Sequence, residues 1–213
     1  MNKTINSLLS IGLTKKPQEI IHFTDEPKYP YYHTSPKEDI KEGLPDDLCG
    51  QGFSESKNEA IIKSLAECIE RISTFKPSHN RGIISKYLTN RNFIDPFKFV
   101  HYSDEQLESR PGFLKEVKNQ GYKWTEAIDF KTGKKVLLPS QIVYLNEHSE
   151  LPIREGITTG VALRDSLESA SFYATLEVIE RDAFMLAYLK KTPLEKITPD
   201  TMQLKKLIEY FRR

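Results

Sequence analysis

Two segments of this chain carry paired glutamates at a spacing that could serve a metal ion. The segment at 50–71 reads GQGFSESKNEAIIKSLAECIER, and the segment at 160–181 reads GVALRDSLESASFYATLEVIER. They align without gaps, and each copy runs from a glycine through a serine to Glu-x-x-Glu-Arg. The identical pairs are Gly50/Gly160, Ser56/Ser166, Ala60/Ala170, Glu67/Glu177, Ile69/Ile179, Glu70/Glu180 and Arg71/Arg181. Self-similarity of this kind predicts two equivalent structural units.

The helical period says what chemistry this repeat could do. Residues three apart lie on one side of a helix, so the two glutamates of each copy project together. If the two helices pack side by side through Ile69 and Ile179, four carboxylates meet. Such a group is unfavourable without cations, and Mg²⁺ is the ion that best suits an all-oxygen shell. Because protein-bound Mg²⁺ usually bridges to substrate phosphates, the pattern indicates a nucleotide site.

A structural interpretation of the same residues stays open. A glutamate followed four positions later by an arginine is an ordinary exposed helix pair worth ~0.3 kcal/mol. Chance is a poor explanation for two copies in the same register, which favours the functional interpretation. A di-iron carboxylate site is excluded, because its Glu-x-x-His motif needs a histidine where this chain has glutamate. The chain also lacks a P-loop motif, so any nucleotide is held in another way.

Helices are predicted to carry both motifs. The periodicity predicts three helices: Ser56–Ser73, Ser166 to about Lys191, and about Pro199 to the last residue. The first two carry the motifs. Ser56 with Glu59 forms a predicted capping box at the start of the first helix. Pro77 marks the latest end of that helix, and Pro193 stops the second.

Extended segments are interspersed with these helices. A short strand is predicted at 30–33, and residues 124–130 and 135–145 flank a hairpin turn at 131–134. Pro139 is expected at a bulge, at an edge or between two strands. Ser103 is predicted to open a short helix that stops before Pro111. The expected class is therefore α/β or α+β with one mixed sheet, and no linker marks a second domain.

The composition limits the kinds of function. The chain has 213 residues, 38% hydrophobic residues and a formal net charge of +1. This composition is too apolar and aromatic for a disordered chain, and the balanced charge provides no general attraction to nucleic acid or anionic lipid. No apolar stretch is long enough to span a membrane, and no secretory signal begins the chain. With two cysteines, Cys49 and Cys68, the expected location is the cytoplasm.

The two acidic segments resemble the signatures of the YcaO family, the ATP-dependent enzymes that activate peptide-backbone amides. The first is similar to a Gly-Lys-Gly loop followed by A-x-x-S-A-x-x-E-x-x-E-R. The second, TTGVALRDSLESASFYATLEVIERDA, is similar to T-G-x-A-x-G-N-S-x-E-E-A followed by E-x-x-E-R-D-A. The segment WTEAIDFKTGKKVLLPSQIVYL matches the tryptophan, hairpin and proline-led strand of the family. The similarity covers most of residues 30–190.

The resemblance implies a site and a reaction. It implies that four glutamates coordinate the Mg²⁺ ions that bridge the phosphates of ATP: Glu67, Glu70, Glu177 and Glu180. Arg71 and Arg181 would orient them, and Asp165 stands near the nucleotide where the family has asparagine. A Cys, Ser or Thr side chain, or external sulfide, adds to a backbone carbonyl. The amide oxygen then attacks the γ-phosphate, and loss of phosphate gives an azoline or a thioamide.

The resemblance also implies substrates and partners. The substrate would be a ribosomally made peptide or protein, of the thiazole/oxazole-modified or bacteriocin type. A homodimer is expected, with an E1-like, leader-binding or TfuA-type protein as a possible partner, and neither nucleic acid nor membrane. Because the family domain is roughly twice as long, residues 1–213 are expected to form its N-terminal part, an incomplete domain.

Three departures from the family pattern support an alternative. Gln51 replaces the lysine of the Gly-Lys-Gly loop, Lys63 replaces a serine, and Ser169 replaces a glutamate. Together with the missing later motif, they are compatible with a non-catalytic member that binds a leader peptide or completes an oligomer.

Overall fold

The computed structural model describes residues 3–24, 28–75, 83–88, 92–100, 102–145, 151–196 and 198–211, with the side chains of 203, 210 and 211 excepted. The helices are α1 Lys3–Ser10, α2 Lys57–Phe75, α3 Asp104–Glu108, α4 Phe113–Asn119, α5 Ser140–Val143, α6 Leu167–Lys190 and α7 Met202–Phe211. The strands are β1 Gln18–Glu19, β2 Tyr31–Thr34, β3 Gly50–Phe53, β4 Ile83–Lys86, β5 Gly121–Ile128 and β6 Lys135–Pro139. Short 3-10 helices span Glu38–Ile40 and Pro96–Phe99.

The chain forms two compact units. The first unit contains residues 1–40, 47–70 and 159–213, and the second contains 41–46 and 71–158. Each unit has a three-stranded antiparallel sheet, in the orders β1-β2-β3 and β4-β5-β6. The mixed α and β class is as predicted, but the described residues form two antiparallel sheets instead of one mixed sheet. All pairs between the named strands are antiparallel, and a single parallel bridge joins Phe93 to Leu137 of β6.

In the first unit, β3 packs directly on α2. A methyl group on Gly50 would lie 2.1 Å from the carbonyl oxygen of Ser64, and one on Gly52 would lie 1.9 Å from that of Ala60. Only glycine allows a strand to approach a helix backbone so closely. Beneath the strand, the hydroxyl groups of Thr34 and Ser64 are buried and hydrogen-bonded at 2.9 Å.

The helix α2 begins one residue after the predicted start. Leu65 and Cys68 are fully buried and Ile69 is 4% exposed, which gives the apolar face that the periodicity predicted. Glu59 accepts a hydrogen bond from the hydroxyl of Ser54, and this contact stands in place of the predicted bond to Ser56. Pro77, the predicted limit of the helix, lies outside the described residues.

The local signals at both ends of α6 were correct. The hydroxyl of Ser166 accepts a hydrogen bond from the backbone N–H of Ser169 at 3.1 Å, as an N-cap does. Lys191 adopts a left-handed conformation (φ 51°) just before Pro193, and ends the helix. Along the described helix no residue is buried, and its large apolar side chains, such as Phe184 and Leu189, are exposed.

The third predicted helix is shorter than expected. It begins at Met202, because the hydroxyl of Thr201 accepts the backbone N–H of Leu204 at 3.2 Å. It is described to Phe211, and the last two residues of the prediction lie outside the described residues. None of the helices in the described ranges is both long enough and apolar enough to cross a membrane.

The second unit is built on the predicted hairpin. β5 and β6 pair from Trp124↔Pro139 to Ile128↔Lys135, around the turn at 131–134. Pro139 ends β6, and the predicted strand to 145 is wrong because residues 140–143 form the short helix α5. Trp124 is the centre of the core, with the ring of Phe93 edge-on at 4.4 Å.

The short helix at Ser103 is also as predicted. The side chain of Ser103 accepts the N–H of Gln106, and the side chain of Gln106 accepts the N–H of Ser103. This capping box satisfies two backbone donors at once, which explains why the sequence signal was sufficient. The helix α3 then stops before Pro111.

Candidate functional site

Glu67 is held against the strand that precedes its own helix. Its Oε2 atom accepts the backbone N–H of Gln51 at 2.5 Å, and the side chain is half-buried. This contact requires β3 to lie on α2, which Gly50 and Gly52 allow. The Gly-x-Gly sequence is therefore part of a strand that positions a carboxylate, and the sequence analysis did not predict this strand.

In the second copy, Glu177 also accepts a backbone N–H from its glycine segment. Its Oε2 atom accepts the backbone N–H of Gly160 at 3.1 Å. Gly160 has φ +87°, and a methyl group there would lie 3.0 Å from a methyl of Val178, so this glycine permits the close approach to α6. In both copies a backbone amide from the glycine segment orients the first glutamate.

Glu70 joins the two copies. Its Oε2 atom accepts the backbone N–H of Leu163 at 2.9 Å, so the loop of the second copy binds the helix of the first. The pKa of Glu70 is raised, first by burial and further by the negative charges of Glu177 and Glu67. The Leu163 N–H and the positive charge of Arg164 act in the opposite direction.

These three carboxylates have the right chemistry for magnesium but do not form a complete ligand set. Their oxygens are hard donors, and the mutual repulsion at Glu70 is what a cation would relieve. Among the described residues, however, no three acidic, histidine or cysteine side chains converge on one metal position. Mg²⁺ commonly takes one or two carboxylates and completes its shell with waters and substrate phosphates. The residues therefore fit a Mg²⁺ ion that is shared with a phosphate-bearing ligand.

Other predicted site residues lie in different surroundings. Glu180 and Asp165 are exposed, and their assignment as site residues stays a prediction. Ile179 is 58% exposed, so the condition considered above, side-by-side packing of the two helices through Ile69 and Ile179, is not met. The reason is that the loop at Leu163, and not a helix-to-helix seam, contacts Glu70.

The two motif arginines differ from each other. The Nη2 atom of Arg181 lies 3.4 Å from the Oε1 atom of Glu177, as expected for an arginine that orients a glutamate. The pair is largely exposed, so its contribution to stability is small. Arg71 is half-buried in α2, and its role as an orienting residue stays a prediction.

Arg164 is a site residue that the sequence reasoning did not identify. It stands at the glycine position of the similar family motif, which was the available signal. Its guanidinium lies 4.3 Å from the centre of the Tyr173 ring, a cation–π contact that fixes it on α6. From there its positive charge lowers the pKa of Glu70.

The raised pKa of Glu70 gives a pH-dependent prediction. When the pKa of a carboxyl is higher in the folded state than in the unfolded chain, the folded state loses stability as pH rises from the unfolded value through the folded one. The reason is that the folded state then holds an unfavourable negative charge. Glu70→Gln keeps an acceptor for the Leu163 N–H and removes this charge. We expect the variant to be more stable than the original protein at pH 7 without Mg²⁺. The difference should disappear below the ordinary glutamate value of 4.5.

Urea unfolding between pH 3.5 and 8 in the presence of EDTA measures this difference. The control is Glu180→Gln, which removes an exposed glutamate of the same motif type. A Glu70→Gln variant that is less stable than the original by the same amount at every pH would contradict the electrostatic interpretation.

Comparisons with known proteins find one family and several solved structures that resemble this chain. The family described as YcaO cyclodehydratase, ATP- and Mg²⁺-binding, matches residues 51–213. One similar solved structure is a heterocyclase in complex with substrate and cofactor, with a TM-score of 0.78 and 16% identity. Another is the YcaO protein from Methanopyrus kandleri bound with AMPPCP and Mg²⁺, with a TM-score of 0.66 and 17% identity. No curated protein sequence matches the chain.

The lengths of the matched structures differ from that of this chain. Each of the two alignments covers 99% of the chain, but only 32% of the heterocyclase and 50% of the M. kandleri protein. The chain thus spans about a third of the first of these structures and half of the second. At these identities the likeness shows the fold alone. The family match and the residues of the site are what bear on function.

Proposed function

The chain belongs to the YcaO family, and on this premise we propose that it forms the ATP- and Mg²⁺-binding part of an enzyme that activates peptide-backbone amides. The observation that carries the proposal is the arrangement at Glu67, Glu70 and Glu177. Each carboxylate accepts one backbone N–H, and the pKa of Glu70 is raised first by burial and then by repulsion from Glu177 and Glu67. A cation shared with phosphates would remove the cost of that repulsion.

The residues have distinct roles in this proposal. Glu67, Glu70 and Glu177, joined by Glu180, hold Mg²⁺ against the nucleotide. Arg71 and Arg181 orient the glutamates, and Asp165 lies beside the nucleotide. Residues that keep metal ligands in position typically change the metal affinity by about 10–100-fold when they are replaced.

The chain's contribution to the reaction would be positional and electrostatic. Bound Mg·ATP supplies an electrophilic phosphoryl group for the oxygen of an amide. The glutamates and the backbone N–H groups that hold them are in place before the ligand arrives, so little reorganisation is needed. The product class follows from the nucleophile: a Cys, Ser or Thr side chain gives an azoline, and external sulfide gives a thioamide.

The substrate, assembly and location belong to the same proposal. The substrate is a ribosomally made peptide or protein, with an azoline-bearing bacteriocin type as one case. A homodimer is proposed because α6 exposes large apolar side chains that a second chain would bury. A leader-binding, E1-like or TfuA-type partner and a cytoplasmic location complete the proposal.

One observation favours a second candidate, a non-catalytic family member. Gln51, at the position of the family lysine, accepts a hydrogen bond from the hydroxyl of Tyr31 at 2.6 Å through its side chain. This side chain is thus used in a structural contact and provides no positive charge. In addition, both carboxylate oxygens of Glu177 have protein partners, Gly160 and Arg181. A member that binds a partner chain without nucleotide would tolerate both features.

Thermal unfolding with Mg·ATP distinguishes the two candidates. A ligand present at 100 times its dissociation constant stabilises the folded state by about 2.7 kcal/mol, so we expect a clear rise in Tm. MgCl₂ alone and ATP with EDTA are the controls, and each should give a much smaller shift than the two together. No rise with Mg·ATP at millimolar concentration would favour the non-catalytic candidate.

A further inference from the structure

A cavity in the second unit is independent of the acidic site. Its volume is about 390 Å³, and its wall includes the aromatic rings of Tyr102, Phe113 and Tyr144 with the apolar side chains of Leu145 and Leu151. Gln141, Arg110, Arg154 and Glu155 add polar groups to the same wall. All of these residues belong to the second unit. An apolar cavity with a few polar groups is the usual form of a small-ligand site.

Arg154 is the unusual group in this wall. Its Nε atom is buried, and it has no hydrogen-bond partner among the described residues. Burial lowers the pKa of its guanidinium, so the positive charge is held there against a desolvation cost. Buried donors without partners are rare, because each costs about 1–3 kcal/mol. An anionic ligand in the cavity would satisfy this donor.

The chain that leads into Arg154 is fixed in place. The backbone N–H of Ile153 donates to the side-chain oxygen of Gln141 at 2.8 Å, and Ile153 itself is fully buried. Gln120 binds both the N–H and the carbonyl of Leu151 with its side-chain amide. The position of Arg154 in the cavity wall is therefore supported by the anchored residues that precede it.

A second arginine lies at the exposed edge of the cavity. The guanidinium of Arg110 is 4.8 Å from the ring centre of Tyr102 and 6.0 Å from that of Phe113. Stacking fixes its plane and leaves its N–H groups available to a ligand. Glu155 is exposed and is the acidic residue of the described wall, so the two arginines exceed it by one positive charge.

We propose that this cavity binds a carboxylate attached to an apolar or aromatic group, as on a peptide. Arg154 binds the carboxylate, and the rings of Tyr102, Phe113 and Tyr144 pack against the apolar part. A single surplus positive charge suits a monoanion better than a phosphate dianion. The carboxylate can come from an acidic side chain or from a chain terminus, since both offer the planar oxygen pair that arginine matches.

The experiment observes the Arg154 Nε–H directly. Nitrogen-15 NMR spectra of the protein are recorded during titration with acetyl-Phe-Asp-amide, and separately with acetyl-Phe, which ends in a free carboxylate. We expect saturable shifts of the Arg154 Nε–H signal with at least one of them, which also identifies the source of the carboxylate. The matched neutral probe, acetyl-Phe-Asn-amide, should leave the signal unchanged.

Variants test the assignment of the contact. Arg154→Gln should weaken binding by about tenfold or more, because a charge-assisted hydrogen bond is lost. Arg154→Lys keeps the charge but lacks the planar guanidinium, so its affinity for the probe should lie between those of the original protein and of Arg154→Gln. It also provides a second variant if the glutamine variant unfolds. The control is Lys131→Gln, an exposed residue of the hairpin turn, and its binding should be unchanged.

Three outcomes would overturn the proposal. One is no saturable shift with either carboxylate probe. Another is equal binding of acetyl-Phe-Asn-amide, which would make the cavity a purely apolar site. The third is tighter binding of inorganic phosphate than of either peptide probe, which would make it a phosphate site. None of these results depends on the nucleotide function proposed above.

Discussion

Replacing Glu67 and Glu177 together by glutamine should abolish detectable Mg·ATP binding. Each is the first glutamate of its motif, and each is held by a backbone N–H from its glycine segment. Glutamine can accept the same hydrogen bonds, so the fold should persist while two negative charges are lost. We expect at least about a hundredfold weaker binding, since even outer partners of a metal ligand contribute about 10–100-fold. Isothermal titration calorimetry measures the loss.

A charge-matched control separates this effect from a general change in net charge. Glu108→Gln with Glu209→Gln removes two exposed carboxylates from other helices, α3 and α7, and should leave Mg·ATP binding unchanged. Unchanged binding in the Glu67 and Glu177 double variant would show that the nucleotide, if bound, is held elsewhere. A double variant that has lost its folded circular-dichroism signal is replaced by the two single variants, each of which should weaken binding.

Gly52→Ala should strongly destabilise the first unit. The added methyl group would lie 1.9 Å from the carbonyl oxygen of Ala60 and 2.6 Å from the backbone nitrogen of Ser64. Both atoms belong to the backbone of α2, so no side-chain rotation can relieve the overlap. Overpacking in a core commonly costs about 1–3 kcal/mol, and a clash with a helix backbone belongs at or above the upper end. Urea unfolding measures the loss.

The matched control for this variant is Gly121→Ala. Gly121 is the first residue of β5, and a methyl group there meets nothing within 4 Å. We expect a change within about 0.5 kcal/mol, as for most surface substitutions. If Gly52→Ala were as stable as this control, β3 could not lie on α2 as described. The backbone N–H that Gln51 donates to Glu67 would then need another explanation.

Local signals in the sequence were sufficient for several elements. Ser103 with Gln106, Ser166 before α6 and Pro193 after it act within a few residues of their own positions, so their effect does not depend on the rest of the fold. The hairpin around 131–134 is local in the same sense. The repeat also indicated correctly that Glu67 and Glu70 are neighbours, because residues three apart share one side of a helix. The charge of Glu177 reaches Glu70 from another helix, which helical spacing alone does not explain.

Contacts between distant residues decided the rest. The sequence alone determined which residues are acidic, where α3 and α6 begin, and that the two motifs repeat. Only the tertiary structure decided that Gly50 and Gly52 form a strand against α2, that Leu163 binds Glu70, and that Ile179 is exposed. The physical reason is that a backbone amide has the same chemistry in every residue. Which carboxylate accepts its hydrogen bond depends on the path of the chain, and the spacing of residues in the sequence does not predict that path.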